Sequence, residues 1–184
     1  VSRALVLAVA AALALSACAR PVNQVMVRSE RLAAAAPVAA RKLPRLSCAY
    51  RLTEVADLRA DRNHAGGLGR HQLMLDDAPT LVREQLRKTG MAVADDPAAD
   101  AATRQVSVQI KQLYLTQNQV TKIPVAVYSV QVDDQAPFVI RAQSATMNWN
   151  GSEDEAFEAL SAALTDANAQ LVATLNKGCA QPKG

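Results

Sequence analysis

Large apolar rings are scarce in this chain. Its 184 residues include one Trp, three Tyr and two Phe, 3% aromatic in all, so a core must be assembled from Val, Leu, Ile and Ala. Reactive motifs are missing too. There is no Gly-x-Ser-x-Gly elbow, no zincin motif and no Cys/His nucleophile pair, so nothing in the pattern supports catalysis and the chain is expected not to be an enzyme. The glycine-rich stretch Gly66-Gly67-Leu68-Gly69 lacks the spacing and the lysine of a P-loop. It reads as a flexible turn. Only two histidines occur. Asp61, His64 and His71 are close in sequence, but nothing fixes them on one face, so they read as a surface loop rather than a metal site. No resident cofactor is expected. Long hydrophobic runs are also absent. The apolar stretch Ala4 to Leu15 is about 18 Å long as a helix, short of the ~20 residues that a bilayer span needs.

That short run has a purpose of its own. Arg3 precedes it and Leu15-Ser16-Ala17-Cys18 ends it, the layout of a cleaved export signal rather than a transmembrane helix. Small residues before a cysteine at this place resemble the lipobox of bacterial lipoproteins. The resemblance implies that residues 1–17 are removed, that Cys18 carries a diacylglycerol and usually an amide-linked acyl chain, and that the protein hangs from a membrane. Three acyl chains on one cysteine make detachment negligible, since each buried methylene is worth ~0.8 kcal/mol. Ala19, rather than aspartate, follows the cysteine. By resemblance to enterobacterial sorting rules, that implies the periplasmic face of the outer membrane. The alternative is an ordinary secretory signal cut after Ala17.

Charge is unevenly spread. Arg20, Arg28, Arg31, Arg41, Lys42 and Arg45 face only Glu30 between residues 19 and 47. The rest of the chain to residue 184 is slightly acidic. Nucleic acid is therefore a poor partner for the exported domain. Residues 18–47, with Ala33-Ala34-Ala35-Ala36-Pro37 and Pro44, read as a tether. It either lies on anionic headgroups or serves as a plain soluble spacer. With Cys18 assigned to lipid, Cys48 and Cys179 remain, and in an oxidising compartment pairing is the default, two free thiols being the alternative.

The folded domain is placed at residues 48–180, with 181–184 as a tail. Tyr50 to Val55 reads as a strand and Gln72 to Leu75 as a short second one. A helix is expected from Pro79 to Thr89, capped by Asp77 and stopped at Gly90. Val106, Val108 and Ile110 alternate with polar residues, but Leu113 and Leu115 are out of phase, which predicts a bulge near Gln112. Ile123 to Val132 is apolar at both parities, the mark of a central strand covered on both faces. Phe138 to Asn148 alternates again. Ser152-Glu153-Asp154-Glu155 matches a capping box, and Phe157, Leu160, Leu164, Ala167, Leu171 and Leu175 continue from it at helical spacing. The sum is an α+β domain: an antiparallel or mixed sheet of four to five strands with two amphipathic helices on one face.

Several of these features together resemble the YajG-type outer-membrane lipoproteins. They are the lipobox, the helix ending at Gly90, the run Val106-Ser107-Val108-Gln109-Ile110-Lys111-Gln112-Leu113-Tyr114, and Ala163-Leu164-Thr165-Asp166 in the last helix. The family implies an envelope lipoprotein without an established enzymatic activity and transfers no catalytic residues. The expected function is thus non-enzymatic: binding or scaffolding another cell-envelope component. The open sheet face would supply the surface, with Gln109, Lys111, Tyr128, Arg141 and Gln143 as candidates, unless these are simply its wet side. The alternative is a transport-auxiliary lipoprotein handling a lipid or other apolar ligand, suggested by the two-sided apolar strand. Homo-oligomerisation is left open.

Overall fold

A computed structural model describes residues 22–34, 44–93 and 104–179. The leader, Cys18 and the tail 181–184 lie outside the described residues. The architecture is α+β, with three helices and a mixed sheet of nine strands among the described residues. Both counts exceed the four to five strands and two helices expected, and of the two sheet types expected the mixed one is present.

The organising element is β6 (Arg104–Gln117). Its apolar residues Val106, Val108, Ile110, Leu113 and Leu115 are all buried. The phase change is a bulge, since the register with β7 (Thr121–Val132) shifts between Ile110 and Gln112. Along its other edge β6 pairs in parallel with β2 (Tyr50–Asp57), then with β3 (His64–Leu68) through Gly66 and Leu115. β7 is central as its composition requires, bonded to β6 on one side and to β8 (Phe138–Gln143) and β9 (Thr146–Met147) on the other. The run Phe138 to Asn148 is thus two strands, not one. β4 (His71–Met74) is antiparallel to β3, and the two-residue β5 (Ala92–Val93) extends β2.

Two of the helices follow their sequence signals. α2 (Ala78–Arg87) starts where Asp77 accepts from the Thr80 amide at 3.0 Å, with Pro79 in the first turn. It ends just before Gly90, whose φ is 94°, and buries Leu81, Val82 and Leu86. α3 (Glu153–Cys179) buries every member of the predicted stripe. It runs over β6, β7 and β8 and packs with α2 into one continuous core. α3 continues through Lys177 and Gly178 to Cys179.

Residues 18–47 are not all tether. β1 (Asn23–Met26) pairs in parallel with β4, and α1 (Ser29–Ala34) docks on α3. Val25, Val27 and Leu32 are buried, and the Ser161 hydroxyl donates to the Leu32 carbonyl at 3.2 Å. Arg31 pairs with Glu153 and stands 4.4 Å over the Phe157 ring. Both elements are too short to show a period of their own. They order by tertiary packing rather than by propensity.

The sheet has two distinct ends. At one, the Gly69 amide donates to Gln117 at 2.9 Å, Gly69 abuts Gly151, and the Asn23 amide donates to the Arg70 carbonyl at 2.9 Å. At the other, Cys48 and Cys179 are joined in a disulfide, with Cα atoms 6.0 Å apart. Beside it, the Tyr50 hydroxyl donates to the Leu175 carbonyl at 2.8 Å.

Candidate functional site

Strand register decides which side chains share a face, because directly paired residues project the same way. Tyr128 pairs with Ile110 and Ile140, both buried under the helices. It therefore belongs to the core face and not to the open one. It is completely buried, and burial pushes its hydroxyl pKa up. The two-sided apolar pattern of β7 hid this, since either parity could have faced the helices.

The other candidates are exposed, but they do not form one cluster. Gln109 pairs with Ser129, opposite Val139, at one end of the outer face. Arg141 shares its row with Val127 and Gln112, and Gln143 with Val125 and Tyr114. The Arg141 guanidinium donates to Gln143 at 2.6 Å, so these two partly satisfy each other. Val125 and Val127 point outward but are only 1% and 8% exposed. The outward positions Val125 and Val127 thus present little apolar surface to solvent.

Lys111 is the extra residue at the bulge, and it leads to a different surface. The β3–β4 ladder meets β6 at the single pair Gly66–Leu115. Beside that junction lies an open groove of about 800 Å³. One wall comes from Asp61, His64, Gly66, Gly67, Arg70, His71 and Gln72, and the other from Lys111 to Gln117. The sequence pointed to Lys111 but missed the rest, because the wall is built by two glycines read as a turn. A Cβ on Gly66 would stand 1.9 Å from the Leu115 carbonyl oxygen, and one on Gly67 2.4 Å from that of His71. These glycines serve close backbone approach inside a strand. Gly66 also has φ of 72°.

Arg59 holds the loop beside the groove. Its guanidinium makes a bidentate pair with Asp57 and donates to the carbonyls of His64, Arg62 and Leu75 at 2.5–3.1 Å. The ion pair is buried, with side chains 3% and 10% exposed. Asp61 accepts from the Asn63 and His64 amides and lies 2.8 Å from His64 Nδ1. Hydrogen bonding to the His64 side chain, with those amides, holds the carboxyl below its ordinary range. His71 is directed elsewhere, 3.1 Å from the Asn23 amide group. Asp61, His64 and His71 therefore line one groove without converging on a point, and no group of three metal-ligating side chains occurs among the described residues. With Lys111, Arg70, Gln72, Gln112 and Tyr114 along it, the groove offers positive charge and hydrogen-bonding side chains over a backbone wall. Together with the apolar atoms of Val22, Leu113 and Leu115 along it, that chemistry suits recognition of an extended segment of mixed character.

At the Gln117 end of β6, Glu155 is buried against Lys122 and receives the amides of Trp149, Asn150 and Gly151 at 2.9–3.1 Å. Burial pushes its pKa up. The Lys122 hydrogen bond and the amides pull harder the other way, leaving it at about 2. Half of the predicted capping box is present, the Glu155 amide donating to the Ser152 hydroxyl at 3.2 Å. The carboxylate serves the preceding turn instead of Ser152.

No protein-family model matches the sequence, and no curated protein matches it. Solved structures do. A Xanthomonas campestris protein of the DUF330 family is similar over 76% of this chain and 90% of its own, with TM-score 0.50 and 14% identity. A minor lipoprotein from Acinetobacter baumannii is similar over 74% and 99%, with TM-score 0.44 and 14% identity. Rare lipoprotein B from Shewanella oneidensis follows over 70% and 93%, with TM-score 0.35 and 12% identity. At such identities the first likeness establishes a shared fold and nothing of activity. The neighbours are a DUF330 protein and other bacterial lipoproteins; the narrower YajG-type assignment rests on the sequence resemblance alone.

Proposed function

We propose that this chain is a lipid-anchored protein of the bacterial envelope that works by binding. Its membrane attachment is the acylated Cys18, and its partner is another envelope component, engaged through the groove between β3–β4 and β6. The observation that carries the reading is the groove itself. It is open and flanked by the charged side chains of Arg70 and Lys111, whereas Arg141 and Gln143 on the sheet face bond to each other. Large, pre-formed concavities with a few polar groups are where partners bind. The lipobox supports the anchor, and among the described residues no helix is long and apolar enough to cross a membrane. The names of the structural neighbours fit an envelope lipoprotein. Ala19 after the cysteine supports the outer membrane as the site of attachment.

Site-specific photocrosslinking in cells tests this. A photoreactive residue at Lys111 or Gln112 of the full-length protein is expected to trap a defined envelope component, and one at Gln109 or Val139 is not. Equal trapping from both sets of positions, or none from the groove, contradicts the assignment.

A further inference from the structure

The chain's single tryptophan is not in the core. Trp149 is 79% exposed, and Met147 and Val120 beside it are 58% and 65% exposed. The three are brought together by the end of β9. Met147 pairs with Thr121, and the Asn148 amide donates to the Val120 carbonyl at 2.9 Å. Nothing in the fold needs these rings and methyls outside. The backbone of Trp149 is fixed by Glu155 while its side chain is held out to solvent. A cluster of exposed apolar side chains in a protein otherwise poor in aromatics marks a contact surface.

The position of the cluster identifies what it contacts. The hairpin tip between β6 and β7 lies at the same end of the sheet as Gly69, through Gln117, which accepts from both Gly69 and Asn148. Gly69 adjoins Arg70, whose carbonyl receives the Asn23 amide. Val22, the first described residue and itself 65% exposed, therefore lies on the end that displays Trp149. Cys18 stands four residues before Val22, a reach of at most ~14 Å. A domain tied that closely cannot turn this end far from the lipid. The interfacial region of a bilayer is where tryptophan, with its apolar ring and polar N–H, is favoured.

We propose that Trp149, Met147 and Val120 form a membrane-seating patch that inserts into the headgroup–acyl boundary of the bilayer holding the Cys18 lipid. The inference rests on the anchor argued above and adds the orientation of the domain: sheet end down on the lipid, disulfide end away from it, groove to the side. Arg70, exposed at the same end, adds attraction to anionic headgroups.

As the only tryptophan, Trp149 reports on itself. The test uses the full-length acylated protein, its lipid confirmed by intact mass, reconstituted into vesicles of phosphatidylethanolamine with a minority of phosphatidylglycerol. Part of the lipid carries brominated acyl chains. Bromolipid is expected to quench roughly half or more of the emission, with a blue shift and protection from acrylamide. The double variant Val120→Ser/Met147→Ser is expected to lose most of that quenching while still floating with the vesicles. Protein that floats but whose Trp149 is open to acrylamide and untouched by bromolipid overturns the patch and leaves the anchor standing. Acrylamide protection in the absence of lipid overturns it in favour of a second copy or a protein partner. A mass without acyl chains on Cys18 overturns the anchor, and the patch with it.

Discussion

Glu155 joins three parts of the chain: the start of α3, the turn at 149–151 and Lys122 at the start of β7. Among the described residues Lys122 has Glu155 as its partner, whereas the carboxylate also holds three amides. That asymmetry makes a prediction. Glu155→Gln leaves a buried ammonium unpaired and should cost ~3–5 kcal/mol, while Lys122→Met should cost clearly less. Urea denaturation of the two variants measures the difference. The pair also sets an acid limit. The folded-state value of about 2 lies below the ordinary 4.5, so the unfolded chain takes up the proton first. The stabilisation is complete above the ordinary value and is lost as pH falls toward the folded one. The melting temperature should drop over that window, and the drop should be smaller in Glu155→Gln. The capping-box spacing made the residue visible in the sequence, but not its buried role. That role depends on Lys122, thirty-three positions away.

At the scale of elements, legibility followed length. α2, α3, β6 and β7 each carry enough residues for a period to show, and even the bulge at Gln112 was visible as a change of phase. β1, β5 and β9 are two to four residues long, and α1 is a single short helix in an Ala-rich stretch. Their order comes from partners elsewhere in the chain, which no local window contains. β3 was hidden for a different reason. Glycine is usually punctuation, yet here Gly66 lets two backbones meet and so builds the groove wall. Gly66→Ala adds a Cβ 1.9 Å from Leu115 at a φ of 72°, which requires the β3–β6 junction to part. A destabilisation of at least ~1–3 kcal/mol is expected. Gly90→Ala, with an open site around it, should cost only the left-handed backbone penalty of ~1–2 kcal/mol. Thermal melts of the two variants compare them directly, and hydrogen exchange should show the Gly66 variant opening at residues 64–74.

For the whole molecule, the disulfide lies at the end of the sheet opposite Val22 and Trp149. Cys48 and Cys179 are 131 positions apart, so their bond ties the first long strand to the last helix. Opening it in a Cys48→Ser/Cys179→Ser variant should cost ~2–5 kcal/mol, measured as a fall in the denaturation midpoint. The pairing was legible because only two cysteines were left once Cys18 was assigned. The groove was not, since it arises where separated strands diverge. The anchor is the claim on which both the binding role and the orientation on the bilayer depend. The intact mass of the protein purified from the envelope tests it most directly. The predicted species begins at Cys18 and carries the mass of a diacylglycerol plus an amide-linked acyl chain, and Cys18→Ala abolishes it and releases the protein from membranes. A species that begins at Cys18 or beyond with no acyl mass, or a Cys18→Ala variant that stays fully membrane-bound, would contradict the account.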